Sequence, residues 1–185
     1  MEKLNVVDEN GNVIGEETRE EIHRKGFLHR EIHVWFYTPK GEIIFQHRSK
    51  EKDTFPDLLD ATVGGHVEMG TDYESAALQE LEEETGIRAE KDNLTFIQMM
   101  RSKTFDPVTS TTNNALRAIY AYRYEGAIED LKIEDGKAIK FEAWPFEKLF
   151  NISEEDRKRF IPFMLSEDIL GVLHKIKGLL GSDKN

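Results

Sequence analysis

The chain has 185 residues, 38% of them hydrophobic and 10% aromatic, which is enough to build the core of one globular domain. Its formal net charge of −11 argues against a nucleic-acid-binding or anionic-membrane surface, because both ligands are bound through clusters of lysine and arginine. Cysteine is absent, which excludes a disulfide framework, a thiol nucleophile and a thiolate zinc site.

The sequence predicts one domain and a cytoplasmic location. No segment at the N-terminus resembles a signal peptide, and no apolar run approaches the ~18 residues that a membrane helix needs. We expect residues 1–185 to form a single domain. Its parts are an N-terminal extension at 1–29, a core at 30–150 and C-terminal helices at 151–185.

The first third of the chain predicts a hairpin, a helix and two further strands. Asn10-Gly11 is a strong turn signal between two short apolar runs. Strand 32–37 is rich in β-branched and aromatic residues. In chain order we expect strands at 5–7 and 13–15, a helix at 16–25, strands at 32–37 and 42–48, and a polar loop at 49–60.

The rest of the chain predicts one acidic helix, three strands and two final helices. Ser153 is expected to cap a helix toward Leu165, and Ser166 one that ends near Leu180. The order of strands, one helix, strands and then helices indicates an α/β sandwich rather than regular βαβ winding. The strands are expected at 94–101, 116–124 and 141–144.

The acidic helix carries the strongest functional signal. Glu80, Glu83 and Glu84 follow the spacing i, i+3, i+4, which places three carboxylates on one helical face. Like charges repel there unless a cation neutralises them, and Mg²⁺ prefers carboxylate oxygens and substrate phosphates. The alternative is a solvated charge run. Two features favour the metal: Gly64-Gly65 permits close backbone approach, and Gly86 suits a helix end.

This segment resembles the signature of the Nudix hydrolases. That pattern reads Gly, five residues, Glu, seven residues, Arg-Glu, an aliphatic residue, any residue, Glu-Glu, any residue, Gly and an aliphatic residue. Thr71 stands where the pattern has its first Glu, and neutral Gln79 stands where it has Arg. The residues in register are Gly65, Glu80, Leu81, Glu83, Glu84, Gly86 and Ile87.

The resemblance implies a fold, a metal and a site. The fold is an α/β Nudix sandwich, α/β/α in layers, with a mixed β-sheet, an N-terminal hairpin and C-terminal helices. The metal is Mg²⁺ (or Mn²⁺), held by Glu80, Glu83, Glu84 and the Gly65 carbonyl, with Glu83 and Glu84 as catalytic residues. In some relatives a later loop acid supplies the general base. That place corresponds roughly to Lys137 or Ala138 here, so the base is unassigned.

A wider resemblance is to the Nudix branch that contains isopentenyl diphosphate isomerase. In that isomerase a Cys precedes the Gly-His pair, three histidines hold a metal, and two further glutamates complete the site. Here Gly64 takes the place of the Cys, and segment 111–116 carries no acid. The chain is therefore similar to the isomerase-like hydrolases. This likeness rests on His23, His29, Trp35, Arg48, Lys52, Phe55-Pro56, Gly65-His66 and segment 160–164.

The resemblance also implies substrate-binding residues. Basic residues that match Arg48 and Lys52 contact the diphosphate in the relatives, and we expect His66 to join them. Arg48 could equally belong to a plain surface loop. His23, His29 and His66 have either a residual metal or substrate role or ordinary hydrogen bonds.

We therefore expect a Mg²⁺-dependent Nudix pyrophosphohydrolase that cleaves the pyrophosphate bond of a nucleoside diphosphate linked to another moiety. Two alternatives stay open: a catalytically weak binding or regulatory Nudix domain, favoured by Thr71 and Gln79, and an isopentenyl diphosphate isomerase, opposed by the missing cysteine. The expected partner is a small-molecule diphosphate substrate, with no nucleic acid and no membrane. A homodimer remains open.

Overall fold

A computed structural model describes residues 3–52, 55–107 and 109–181. Within these residues nine strands form one mixed sheet, and helices pack on both of its faces. The expected α/β fold with a mixed sheet is confirmed. The strands are β1 Lys3–Val7, β2 Val13–Thr18, β3 His29–Thr38, β4 Glu42–Arg48, β5 Leu59–Asp60, β6 Val63–His66, β7 Leu94–Asp106, β8 Thr111–Arg123 and β9 Ala138–Pro145. The helices are α1 Arg19–Lys25, α2 Tyr73–Thr85, α3 Phe146–Phe150, α4 Glu154–Arg157 and α5 Glu167–Leu179.

Strand β3 is the centre of the sheet. Along one edge it pairs with β8 in parallel from His29 to Tyr37. Along its other edge it pairs in turn with β1, β6 and β4, all antiparallel. Strand β4 then carries β5 and β9, and β7 forms a long hairpin with β8. The short β6 therefore leaves Glu31 opposite His66 and His33 opposite Gly64.

Successive side chains of β3 serve opposite faces of the sheet, as the strand period requires. Ile32, Val34 and Phe36 pack under α2. Trp35 and Tyr37 pack on the other face, against the C-terminal helices. Aromatic and β-branched residues thus fill both layers of the core.

Helix α2 is fixed at both ends by its sequence. Asp72 caps its start, with Oδ1 accepting a hydrogen bond of 2.8 Å from the Ser75 N–H. Gly86 ends it in the left-handed conformation at φ 72°. Ala76 and Leu81 bury the apolar face against the sheet. The remaining face carries the glutamates.

Several predicted boundaries are wrong. The helix expected at 16–25 begins only at Arg19, because Thr18 caps it and residues 16–18 pair with β1. The helix expected from Ser153 to Leu165 stops at Arg157. Phe160 instead lies beside Leu59 in a short parallel bridge, which extended backbone alone can form. Helix α3 was not expected.

Strands β5 and β6 were not expected either, and β5 lies within the loop predicted at 49–60. The strands expected in the second half are longer than predicted, and Ser166 caps α5 as expected. In the described residues no helix is long and apolar enough to cross a membrane. The division at residues 29 and 150 stays a prediction.

Replacing Gly86 by alanine should destabilise the protein. An L-residue held at φ 72° costs roughly 1–2 kcal/mol, so the free energy of unfolding should fall by about that amount. The added Cβ would also lie 2.6 Å from Lys132 Cδ and displace that side chain. Urea unfolding followed by circular dichroism measures the change.

Gly171→Ala is the matched control. Gly171 lies inside α5 with open space around its Cα, so alanine should leave the free energy of unfolding unchanged or raise it by up to about 1 kcal/mol. Equal stability of the two variants would show that the end of α2 is not constrained at Gly86.

Candidate functional site

A cleft of about 1280 Å³ opens on the face of β3 that also carries Trp35. The C-terminal segment covers this face near Trp35, and the cleft begins where the face reaches His33 and Glu31. All seven residues predicted as site residues line this cleft: Arg48, Lys52, Gly65, His66, Glu80, Glu83 and Glu84.

The α2 carboxylates reach the cleft past the glycines of β6. Glu80 lies so close over Gly65 that a Cβ there would be 2.2 Å from Glu80 Cδ. Alanine would therefore expel Glu80 from its position. Glycine is required at position 65 because Glu80 approaches its Cα so closely. Backbone conformation is not the reason, because the φ angle of Gly65 is not in the left-handed region.

Glu84 is 5% exposed and has three partners. Its Oε2 accepts hydrogen bonds from Gln46 Nε2 at 3.1 Å and from the Gly64 N–H at 3.4 Å. Lys137 Nζ lies 3.7 Å from its Oε1. Burial raises the pKa of Glu84 to about 8, against the attraction of Lys137.

Glu83 is exposed, and Gln79 Nε2 donates a hydrogen bond of 3.1 Å to its Oε1. Neutral Gln79 thus contacts a carboxylate from the position where the signature has Arg. The three carboxylates of Glu80, Glu83 and Glu84 offer hard oxygen donors at one wall of the cleft. Such a donor set fits a hard divalent cation.

The basic residues are more constrained than the sequence suggests. Arg48 ends β4 as the strand expected at 42–48 predicts, and it is paired opposite Ala138 rather than lying in a plain surface loop. Its Nη1 lies 3.0 Å from Asp60 Oδ2, and its Nε donates to the Phe55 carbonyl at 3.2 Å. Burial and nearby positive charges lower the pKa of Lys52.

A second group of ligand atoms lies in the same region. His23, His29, Glu31 and His66 each present one atom, and these atoms all lie within 4.8 Å of one another. His66 Nε2 is 3.4 Å from His23 Nε2, and His29 Nε2 is 3.4 Å from Glu31 Oε1. His66 Nε2 is 3.7 Å from the same oxygen.

Backbone carbonyls orient two of these rings. His23 Nδ1 lies 2.8 Å from the Arg19 carbonyl, and His29 Nδ1 lies 3.1 Å from the Phe27 carbonyl. Because a carbonyl only accepts, each Nδ1 donates and each Nε2 keeps its lone pair for the cluster. Burial lowers the pKa of His66 to about 3 and also lowers that of His23, so both are neutral.

Glu31 is the site residue that the sequence prediction missed. It is 7% exposed and is paired with the guanidinium of Arg117, with Asn113 Nδ2 donating at 3.0 Å. Burial would raise the pKa of Glu31, yet Arg117 and the neighbouring histidines hold it well below its usual range. The one sequence signal was its period-two spacing from His29.

His33 was also missed. It lines the cleft at 7% exposure, and its Nδ1 has no partner among the described residues. A Cβ on Gly64 would lie 3.2 Å from His33 Cδ2, so the bare glycine makes room for this ring. Burial and the charge of Arg117 keep the pKa of His33 well below its usual value.

The sequence and fold were compared with known proteins. Residues 27–164 match the NUDIX domain family. An uncharacterised Nudix hydrolase of Clostridium acetobutylicum is 30% identical over 141 residues, covering 75% of this chain and 67% of that protein. The matches to Nudix hydrolases of Streptomyces coelicolor and Yersinia pestis span about half of those proteins, 47% and 48%.

Two solved structures share the fold. A Deinococcus radiodurans protein superposes with a TM-score of 0.66 at 22% identity, covering 94% of this chain and 98% of that one. The Nudix domain of Shewanella oneidensis NrtR, solved with ADP ribose, superposes with a TM-score of 0.54 at 15% identity, covering 89% of this chain and 99% of that domain.

The fold and the glutamate-bearing helix beside a glycine strand define a Nudix domain. The chain belongs to the Nudix hydrolases, whose class of reaction is pyrophosphohydrolysis. Members of this family generally act on small molecules with divalent metal ions. The isomerase-like branch expected from the sequence stays a prediction.

Glu84 should make the metal-free protein less stable as pH rises. The folded state holds the Glu84 proton up to about pH 8, whereas a free carboxyl releases it near 4.5. Folding therefore loses stability as pH rises through this window. Thermal unfolding in EDTA at several pH values measures it for wild type and Glu84→Gln.

Glutamine has no such proton, so wild type should lose stability relative to the variant as pH rises. Two parallel curves would contradict the raised pKa of Glu84.

Proposed function

We propose that the protein is a Mg²⁺-dependent (or Mn²⁺-dependent) hydrolase that cleaves the pyrophosphate bond of a nucleoside diphosphate linked to another moiety. One observation carries this proposal: Glu80, Glu83, Glu84 and Gly65 meet basic side chains in a single cleft. The oxygen donors suit the metal, and the cations suit an anionic substrate.

The bound metal would hold substrate phosphate oxygens and partly neutralise the negative charge that develops on them during the reaction. Glu80, Glu84 and the Gly65 carbonyl would hold the ion. Glu83 is exposed, so its free oxygen can orient a water molecule and accept its proton, while Gln79 steadies the carboxylate. In this proposal Glu83 and Glu84 are the catalytic residues.

The substrate-binding roles of Arg48, Lys52 and His66 belong to the same proposal. Lys52 would donate to a non-bridging phosphate oxygen. Arg48 lines the same wall of the cleft. Its ion pair with Asp60 fixes the orientation of the guanidinium group there. ADP-ribose is the natural first probe, because a structure of similar fold was solved with it. The expectations of a cytoplasmic location and of no nucleic-acid partner stay proposals, and a homodimer stays open.

The isomerase and the binding domain make different demands on the site. An isomerase needs a proton-transfer group beside the substrate, and glycine supplies none. A weak binding domain would be favoured by Thr71 and Gln79, but Gln79 still contacts Glu83. Both alternatives are outcomes of the test below.

We further propose that the cluster of His23, His29, Glu31 and His66 binds a transition-metal ion. A tetrahedral ion with bonds of about 2.0–2.1 Å has ligand atoms roughly 3.3–3.4 Å apart. The distances of 3.4, 3.4 and 3.7 Å in the cluster are close to that edge length. Three imidazoles with one carboxylate suit Zn²⁺, Co²⁺ or Fe²⁺ better than Mg²⁺.

Glu83→Gln and Glu84→Gln should each lower turnover by roughly 10²-fold or more, because the first removes the group that accepts the proton of the attacking water and the second removes a ligand of the metal. The assay incubates ADP-ribose, other nucleoside diphosphate derivatives, dinucleotides and NADH with Mg²⁺ or Mn²⁺. Phosphatase-coupled phosphate release scores cleavage.

Glu82→Gln is the control, since Glu82 pairs with Arg88 outside the cleft and should keep full activity. A parallel incubation contains isopentenyl diphosphate. Formation of dimethylallyl diphosphate with no cleavage of the panel would favour the isomerase, and metal-independent binding without turnover would favour the regulatory domain.

The histidine cluster should bind Co²⁺ independently of the α2 carboxylates. We expect wild type and Glu84→Gln to show the visible absorption of tetrahedral Co²⁺. His23→Gln and His66→Gln should weaken Co²⁺ binding by more than the roughly 10- to 100-fold that is typical of losing an outer-shell partner.

His174→Gln, an exposed change on α5, is the matched control and should retain the spectrum. If Glu84→Gln abolished the Co²⁺ spectrum and the histidine variants kept it, the cluster would not be the site.

A further inference from the structure

Lys137 lies directly before β9. Its backbone is held on both sides: the Ser49 N–H donates to its carbonyl at 3.0 Å, and its own N–H donates to the Glu134 carbonyl at 3.1 Å. Its side chain lines the cleft and is one-third exposed. The lysine is therefore anchored at its base, with a flexible end in the site.

The ammonium of Lys137 lies between two carboxylates. Its Nζ is 2.7 Å from Glu134 Oε2 and 3.7 Å from Glu84 Oε1. The other contacts of Glu84, from Gln46 and Gly64, are neutral donors. Within the described part of the chain, Lys137 is therefore the cation in ion-pair contact with this buried carboxylate. A buried carboxylate without a counter-charge would be strongly unfavourable.

A metal ion that uses Glu84 must take over the oxygen that faces Lys137. A divalent ion and an ammonium within a few ångströms of each other repel strongly in a partly buried site. The ammonium must therefore withdraw as the ion arrives. Its four-carbon stem allows that movement without any change in the backbone.

The displaced ammonium remains beside the place where phosphates would lie. A Mg²⁺ ion held by carboxylates is usually completed by substrate phosphates, so their oxygens would lie close to Glu84. Lys52 and Arg48 line the same cleft. A phosphate oxygen offers Lys137 a full negative charge in place of its contact with Glu84.

We propose that Lys137 is an exchangeable cation: it lies against Glu84 before the metal binds and then contacts a substrate phosphate oxygen. This inference rests on the proposed function, because it assumes a metal at Glu84. It assigns a substrate-contacting cation to the position from which a base was expected. A purely structural lysine, held by Glu134 alone, would do neither.

The first measurement is Mn²⁺ binding without substrate, by calorimetry and electron paramagnetic resonance, in a protein with the His23→Gln change so that the cluster does not contribute. Lys137→Met should bind Mn²⁺ about 3- to 10-fold more tightly, because a competing cation is gone. Lys137→Arg keeps the charge and should bind within about twofold of the parent. Lys140→Met removes an exposed lysine of β9 that pairs with Glu142, and should also match the parent.

The second measurement is binding of methylenediphosphonate, a non-hydrolysable diphosphate, at saturating Mn²⁺. Lys137→Met should bind it roughly tenfold more weakly, the loss of one charge-assisted contact, while Lys137→Arg and Lys140→Met should not. Tighter binding of Mn²⁺ together with weaker binding of the diphosphonate in Lys137→Met would indicate that the lysine exchanges between Glu84 and a substrate phosphate.

Unchanged Mn²⁺ affinity in a folded Lys137→Met variant would overturn the inference, as would unchanged binding of the diphosphonate. If the parent protein bound no Mn²⁺ at Glu84, the proposed function would fail as well. If the parent bound Mn²⁺ and hydrolysed ADP-ribose while Lys137→Met behaved identically, only the inference would fail.

Discussion

Buried negative charge is the constraint on which this site depends. Glu31 and Glu84 are each more than nine-tenths buried, and an isolated carboxylate in such a place would lose its charge or unfold its surroundings. Each one lies against a cation of the chain, Arg117 for Glu31 and Lys137 for Glu84. The fold thus carries two carboxylates that are already desolvated and that exchangeable positive charge can stabilise.

The two groups of ligands share one short strand. In β6, Gly65 lies against Glu80, and the next residue, His66, belongs to the histidine cluster. The register of β6 on β3 then sets His66 opposite Glu31. The glycine of the signature and the histidine cluster therefore meet on the four residues of β6, which pairs with β3 and lies against α2. The cleft is one space with two chemically different walls.

The sequence predicted what depends on local spacing. The carboxylate face of α2 and its end at Gly86 follow from helix spacing within a few residues, and the strand at 32–37 follows from its β-branched and aromatic residues. The fold class followed from the order of these elements. The predicted residues also meet in one cleft.

The sequence could not predict what depends on distant pairing. Glu31 meets His66 only through the β3–β6 register. Lys137 reaches Glu84 from a turn far along the chain, through a long flexible side chain. The helix expected to reach Leu165 failed for the same reason, since Phe160 pairs with Leu59 across about a hundred residues of sequence.

The alternation of β3 has a consequence for how this protein can change. Glu31 and His33 line the cleft, while Ile32 and Val34, which alternate with them along the strand, face the core under α2. A slip of the strand by one residue would exchange the two sets, burying charge under α2 and exposing aliphatic side chains in the site. Residues of the site and residues of the core therefore alternate along the same ten-residue strand. Point substitutions can reshape the cleft, whereas insertions in this strand cannot.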